Sequence, residues 1–112
     1  MKPLFLIGYM GCGKSTLGRK LARRLGIGFV DTDTLVEEQA GASVADVFRY
    51  EGEARFREAE REALERAIAA GGEAVVSTGG GLPTWGDNMQ RMNGVGHTVF
   101  LRRSAAQIAS RL

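Results

Sequence analysis

A chain of 112 residues with a formal charge of +2 is one small domain, too weakly basic to argue for nucleic acid or a membrane surface as a partner. A single cysteine, Cys12, excludes an internal disulfide and fits a reducing, cytoplasmic setting. No apolar stretch approaches the ~20 residues of a membrane span, and Gly8, Tyr9 and Lys14 interrupt the short apolar run after Met1, so neither anchor nor signal peptide is expected.

Leu4-Phe5-Leu6-Ile7 is a continuous apolar run ending in glycine, the pattern of a buried parallel strand. From Ser15 the period changes. Leu17, Leu21, Ala22 and Leu25 share one helical face, with Arg19, Lys20, Arg23 and Arg24 mostly opposite, and Gly26 is a helix stop. Phe29-Val30 begins a second strand that ends at Asp31-Thr32-Asp33, and a short helix is expected over Thr34 to Gln39. Ser43 with Asp46 resembles a capping box opening a turn that carries Val44, Val47 and Phe48. Glu53 to Ala70 is the longest helical stretch. Its stripe is Phe56, Ala59, Ala63, Leu64, Ala67 and Ile68, with Glu62 and Arg66 as an i,i+4 pair. Ala74 to Ser77 is a third strand, Asp87 to Met92 a short helix and Thr98 to Leu101 a fourth strand. Ser104 caps a last helix carrying Ile108 and Leu112. Strands separated by helices predict an α/β domain with a parallel sheet.

Gly8, Gly13, Lys14 and Ser15 meet the pattern G-x-x-x-x-G-K-S between a strand and an amphipathic helix, where a phosphate loop works. Backbone N–H groups of Gly11, Cys12, Gly13, Lys14, Ser15 and Thr16, with the partial positive charge of a helix start, suit the phosphates of ATP. The Lys14 ammonium suits the β- and γ-phosphates, and the Ser15 hydroxyl is a hard ligand for Mg²⁺. Cys12 is either a small residue tolerated in the loop or a redox-sensitive thiol at a helix start.

Asp31 and Asp33 follow strand two, on the edge where parallel sheets bind ligands. They could divide the tasks of holding a metal and orienting an attacking hydroxyl, or Asp33 could cap the helix that follows from Thr34. Gly79-Gly80-Gly81 opens on the same edge and is either a substrate cradle or a plain loop. Arg57 lies beside Phe56, near the border of the packed helix face, and is either a ligand for an anion or a surface arginine paired with Glu60. His97 and Trp85 are expected to be structural.

In order and spacing these segments resemble shikimate kinase, the small P-loop kinase family of aromatic amino-acid biosynthesis. The carriers are residues 8–16, Asp31-Thr32-Asp33, Val47-Phe48, Gly52-Glu53, Phe56-Arg57 with Glu60, Ser77 to Gly81, and His97 to Leu101. The resemblance implies a three-layer α/β/α P-loop kinase fold and transfer of phosphate from ATP to the 3-hydroxyl of shikimate. It implies that Lys14 stabilises the moving charge, that Ser15 and Asp31 hold Mg²⁺, and that Asp33 binds shikimate hydroxyls and serves as base. Arg57 would pair with the substrate carboxylate. Gly79, Gly80, Gly81, Phe48 and Phe56 would line the substrate, and Arg111 would lie near adenine. A carboxylate with a pKa of about 4 is a weak base, so positioning would matter more than proton abstraction. Family members continue for tens of residues past Leu112, through a lid with a catalytic arginine and a last core strand. Residues 1–112 are therefore expected to be a single, C-terminally incomplete kinase domain, weak as a catalyst by itself and monomeric at full length. A gluconate-kinase-like enzyme and a lidless nucleotide-binding module remain alternatives. Arg57 with Asp33 favours a hydroxylated carboxylic acid as substrate.

Overall fold

Four short apolar segments lie side by side as a parallel sheet in a computed structural model that describes residues 2–8, 14–70, 72–79 and 81–101. In chain order the elements are β1 (Leu4–Gly8), α1 (Lys14–Leu25), β2 (Gly28–Asp31), α2 (Thr32–Ala40) and α3 (Val44–Ala69). They continue with β3 (Ala74–Ser77), a 3₁₀ turn (Leu82–Thr84), α4 (Asn88–Val95) and β4 (His97–Leu101). The strand order is β2-β3-β1-β4. Register pairs Asp31 with Ser77, Leu6 with Ser77, and Gly8 with Leu101, so the strands finish together on one edge.

The alternation of side chains across the pleat divides the core. Phe5, Ile7 and Val76 point to one face and pack with Leu64 and Ala67 of α3, Leu82, and Met92 of α4. Leu6 and Val75 point to the other and pack with Ala22 of α1. A third cluster, Val36, Val47, Phe56 and Ala63, joins α2 to α3. Helices thus cover both faces of the inner strands, which is why β1 and β3 are buried nearly throughout rather than alternating. Each fully buried Leu or Phe contributes roughly 1.5–3 kcal/mol of transfer free energy.

Several expectations shift. Strand two stops at Asp31, whose carboxylate accepts hydrogen bonds from the backbone N–H groups of Asp33 and Thr34; Asp31 is therefore the N-cap of α2, and Asp33 sits in its first turn. Leu25, expected on the packed face of α1, is 47% exposed at its last position. Arg66 reaches across to Gln39 and Glu62 accepts from Arg55, in place of the expected i,i+4 pair. The Ser43 cap forms as expected, its Oγ accepting from Asp46 N at 3.1 Å. A kink at Gly52 (φ 86°, ψ 168°), a conformation that favours glycine, divides α3 between the segment carrying Phe48 and the long stripe. That stripe is as expected, with Phe56, Ala63, Leu64 and Ala67 buried. Val99 and Phe100 on the outer strand β4 are 41% and 46% exposed. The helix expected after Ser104 lies outside the described residues. Among the described residues no helix is long and apolar enough to cross a membrane.

Gly96 joins α4 to β4 where the chain passes the Pro3 carbonyl. A β-carbon there would overlap that backbone oxygen and approach Phe5 Cε2 to 3.0 Å. The neighbouring His97 N–H donates to the same carbonyl at 3.0 Å, so the backbone has little room to retreat. Gly96→Ala is expected to lower the unfolding free energy by about 1–3 kcal/mol, measured as a shift of the urea midpoint. A change below about half a kcal/mol, the ordinary surface value, would contradict this packing.

Candidate functional site

The carboxyl edge of the sheet gathers polar groups that the strands alone would scatter. Lys14 opens α1 and is buried, its Nζ donating to the Gly8 carbonyl at 2.7 Å. That contact folds the ammonium back across the end of β1. Gly11, Cys12 and Gly13, expected to bind ATP, lie outside the described residues, as do Gly80 and Arg111. Thr16 is exposed on the first turn of α1.

One residue further along α1, the Ser15 hydroxyl donates to Asp31 Oδ2 at 2.5 Å and lies 3.3 Å from Ser77 Oγ. Asp31 thus does two jobs: Oδ1 caps α2 and Oδ2 holds Ser15. Among the described residues no cluster of three His, Cys, Asp or Glu side chains could cage a metal. The donors here are hard oxygens, one hydroxyl and one carboxylate, beside a buried ammonium. That set fits Mg²⁺, which takes one or two protein ligands and fills its shell with water and phosphate oxygens.

Asp31 and Asp33 also border a cavity of about 720 Å³, whose walls include Phe48, Phe56, Arg57, Glu60 and Gly81. Phe56 is buried and Phe48 stands edge-on to it, ring centroids 5.6 Å apart. Arg57 lies with its guanidinium carbon 5.4 Å from the Phe56 ring centre and donates through Nη1 to Glu60 Oε1 at 2.7 Å. Among the described residues, its Nε is buried without a hydrogen-bond partner. Arg57 is therefore paired with Glu60, yet mostly buried and with part of its planar fork unused.

The glycine loop packs against these charges. A β-carbon on Gly79 would come within 2.7 Å of Asp33 Oδ1 and 3.2 Å of Glu60 Oε2, and one on Gly81 within 2.8 Å of Arg57 Nη2. Thr32 Oγ1 accepts from Gly79 N at 3.1 Å, tying the loop to the start of α2. A side chain at either glycine would displace the charged groups of Asp33, Glu60 or Arg57, which the composition of the loop alone did not decide.

Burial raises the Asp33 carboxyl above its ordinary 3.8, the nearby Asp31 and Glu37 charges raise it further, and Lys14 pulls against them. Glu60 is likewise raised by burial from 4.5, opposed by the hydrogen bond and charge of Arg57. Glu60, by sequence a possible partner for Arg57 and a carrier of the family resemblance, is 2% exposed. A signal existed: Phe56, Glu60, Ala63, Leu64 and Ala67 follow one helical stripe, and an acid within an apolar stripe is buried with a partner. The parts played by Ser77 and Thr32 left no local trace, because only the strand register brings them to the site.

Comparison with known proteins sets this arrangement in context. The family model for shikimate kinase matches residues 10–112. A shikimate kinase from Parabacteroides distasonis is 44% identical over 112 residues, all of this chain and 64% of that protein. The chain spans less than two thirds of the length of such relatives. The crystal structure of shikimate kinase from Bacteroides thetaiotaomicron superposes with a TM-score of 0.84 at 48% identity, covering 90% of this chain and 57% of that one. Shikimate kinase from Acinetobacter baumannii in complex with shikimate gives 0.84 at 37% identity, covering 90% and 56%. A gluconokinase from Sinorhizobium meliloti, at 22% identity and a TM-score of 0.59, shares the fold alone.

The raised Asp33 has a consequence for stability. Ionised Asp33 is disfavoured in the folded chain, so its cost is absent below the unfolded value of 3.8 and complete above the folded value. Asp33→Asn is expected to stabilise the protein at pH 7, with the gain shrinking as pH falls toward 3.8. Thermal melts at a series of pH values read this directly. Equal melting temperatures of the two proteins at pH 7 would contradict it.

Proposed function

The chain belongs to the shikimate kinase family, and we propose that the protein carrying it transfers the γ-phosphoryl group of ATP to the 3-hydroxyl of shikimate, giving shikimate 3-phosphate and ADP. The observation that supports this most is the half-used guanidinium of Arg57. It is held by Glu60 beside Asp33 and the glycine loop, in a cavity bordered by the same Asp31 that binds Ser15. A carboxylate and a ring of hydroxyls are what such a pair recognises.

In this reading the substrate carboxylate takes the Nε side of Arg57, two parallel charge-assisted hydrogen bonds on a planar fork. Glu60 holds that fork in place through Nη1, leaving the other edge for the ligand. Asp33, facing the loop at Gly79, accepts from ring hydroxyls and points the 3-hydroxyl at the phosphoryl group. Phe48, Phe56, Gly79, Gly80 and Gly81 shape the wall against the ring. The backbone amides of residues 11–16 are assigned to the ATP phosphates and Arg111 to the adenine, both from the family resemblance. Lys14 balances charge on the transferring group. The new bond is from the substrate O3 to Pγ, and the bond that breaks joins Pγ to the β–γ bridging oxygen, which leaves on ADP. The hydroxyl proton passes to Asp33 or to the transferred phosphate, and the loose transition state needs little base strength. Ser15 and Asp31 would hold Mg²⁺, which when bound supplies charge neutralisation at the β- and γ-phosphates. In this reading the full-length protein works in the cytoplasm as a monomer on ATP and shikimate, with neither nucleic acid nor a membrane as a partner.

ADP release by the full-length protein, measured with shikimate, gluconate and nucleoside monophosphates in turn, tests the substrate. Shikimate should respond and the others should not, and EDTA should abolish turnover. Arg57→Ala is expected to raise the KM for shikimate roughly 10- to 100-fold, from the worth of charge-assisted hydrogen bonds, with the KM for ATP little changed. Lys14→Ala should lower kcat about 10²- to 10³-fold, the scale of one lost electrostatic stabiliser. A silent response to shikimate, or ATP binding with no turnover on any acceptor, would overturn the assignment.

A further inference from the structure

The glycine loop lies close against its neighbours at Gly79 and Gly81, where the charged ends of Asp33, Glu60 and Arg57 occupy the space that side chains would take. Something has to hold it there. Loop backbone alone is soft, and the residues that follow, Leu82 to Thr84, form only a single 3₁₀ turn.

The anchor is a buried amide. Asn88, the first residue of α4, is 0% exposed. Its Nδ2 donates to the Leu82 carbonyl at 2.8 Å, and its Oδ1 accepts from Arg61 Nη1 at 2.9 Å. Leu82 directly follows Gly81, and its N–H donates to the Gly79 carbonyl at 3.2 Å. Arg61 lies one helical turn beyond Arg57 on α3, and so on the same face. Arg61 is itself held by Asp87 and, through Nε, by Glu65 at 3.2 Å; Glu65 is gripped by Arg91 of α4 at 2.8 and 3.0 Å. One amide therefore links the helix that carries the substrate arginine to the loop that the arginine abuts. An apolar side chain could fill the same volume without making either bond. Among the described residues, that would leave the Leu82 carbonyl held only by the 3.3 Å bond from Trp85 N.

We propose that Asn88 is a positioning residue for the hydroxy-acid half of the site, setting the distance between the Gly79–Gly81 loop and the Arg57–Asp33 pair through the Leu82 carbonyl and Arg61. The choice of shikimate as reporter rests on the functional reading above; the mechanical claim does not. Asn88 does not touch the substrate. It acts on the width of the slot, so its loss is felt by the small acceptor and not by the nucleotide at the other end.

The experiment uses the full-length protein with Asn88→Asp and, separately, Arg61→Met. Asn88→Asp keeps the shape and the acceptor facing Arg61, but turns an oxygen toward the Leu82 carbonyl where a donor stood. Its KM for shikimate should rise roughly tenfold or more, because sub-ångström misplacement at a positioned site costs one to two decades, while the KM for ATP stays within about twofold. Arg61→Met, on a half-exposed side chain, should shift the shikimate KM the same way by less and decides the matter if Asn88→Asp fails to fold. Amide hydrogen exchange of the ligand-free proteins gives a readout independent of substrate. Exchange at Gly81 and Leu82 should quicken while β1 and α1 keep their protection. If wild-type protein ignores shikimate, the functional reading falls, and the exchange result alone judges the anchor. Unchanged exchange at the loop, an unchanged shikimate KM, or equal rises in both KM values with a lowered melting temperature would each overturn the proposal.

Discussion

Parallel pairing of β1, β2 and β3 is the constraint on which the site depends. A parallel sheet delivers the carboxyl ends of all its strands to one edge, and the register decides which residues meet there. With Asp31 and Leu6 both opposite Ser77, the end of β2 is carried to within reach of α1, although β3 lies between β2 and β1. The Ser15–Asp31 hydrogen bond crosses that gap and is the closure of the whole edge. Slip any of these pairings by one residue and the two would separate, while every apolar side chain would turn to the wrong face.

The long helix supplies the second half of the site by a different logic. Its stripe faces the sheet and α2, but Glu60 interrupts the apolar series and Arg57 stands at its border. Removing such a carboxylate from water is costly unless a partner holds it. Arg57 meets that cost, and in doing so acquires a fixed orientation. The arrangement exchanges stability for geometry. Two raised carboxyls and a partly unsatisfied guanidinium are a poor way to stabilise a core and a good way to present a fork.

How much of this was legible beforehand follows from range. Leu4 to Ile7 and Ala74 to Ser77 are local patterns, and β1 and β3 follow from them. The stripe from Phe56 to Ala67 was equally local. The strand order was not, because nothing in β2 says that β3 will come between it and β1. Asp33, directly before Thr34, was the candidate for the helix cap; β2 ends two residues earlier, so Asp31 caps and Asp33 falls in the first turn. Glu62 and Arg66 had the right separation for an ion pair, but Gln39 and Arg55 were nearer in space. Surface ion pairs contribute so little that neighbours readily exchange them. Asn88 carried no signal at all, because an asparagine at a helix start is ordinary until its burial is known.

The signs of the charges around the cavity have an effect of their own. Lys14 and Arg57 bring two positive charges, and Asp31, Asp33, Glu37 and Glu60 bring four carboxylates. With every carboxyl ionised, the described residues around the cavity carry an excess of negative charge. Such a pocket discriminates by repulsion. A bare phosphate or a stray metabolite acid meets a hostile field, whereas a guest that arrives with its own counter-cation, or that donates hydroxyl protons to the carboxylates while its single acid finds the guanidinium, is admitted. Selectivity against the crowd of small anions in a cell would then come less from the shape of the slot than from the electrical toll at its entrance.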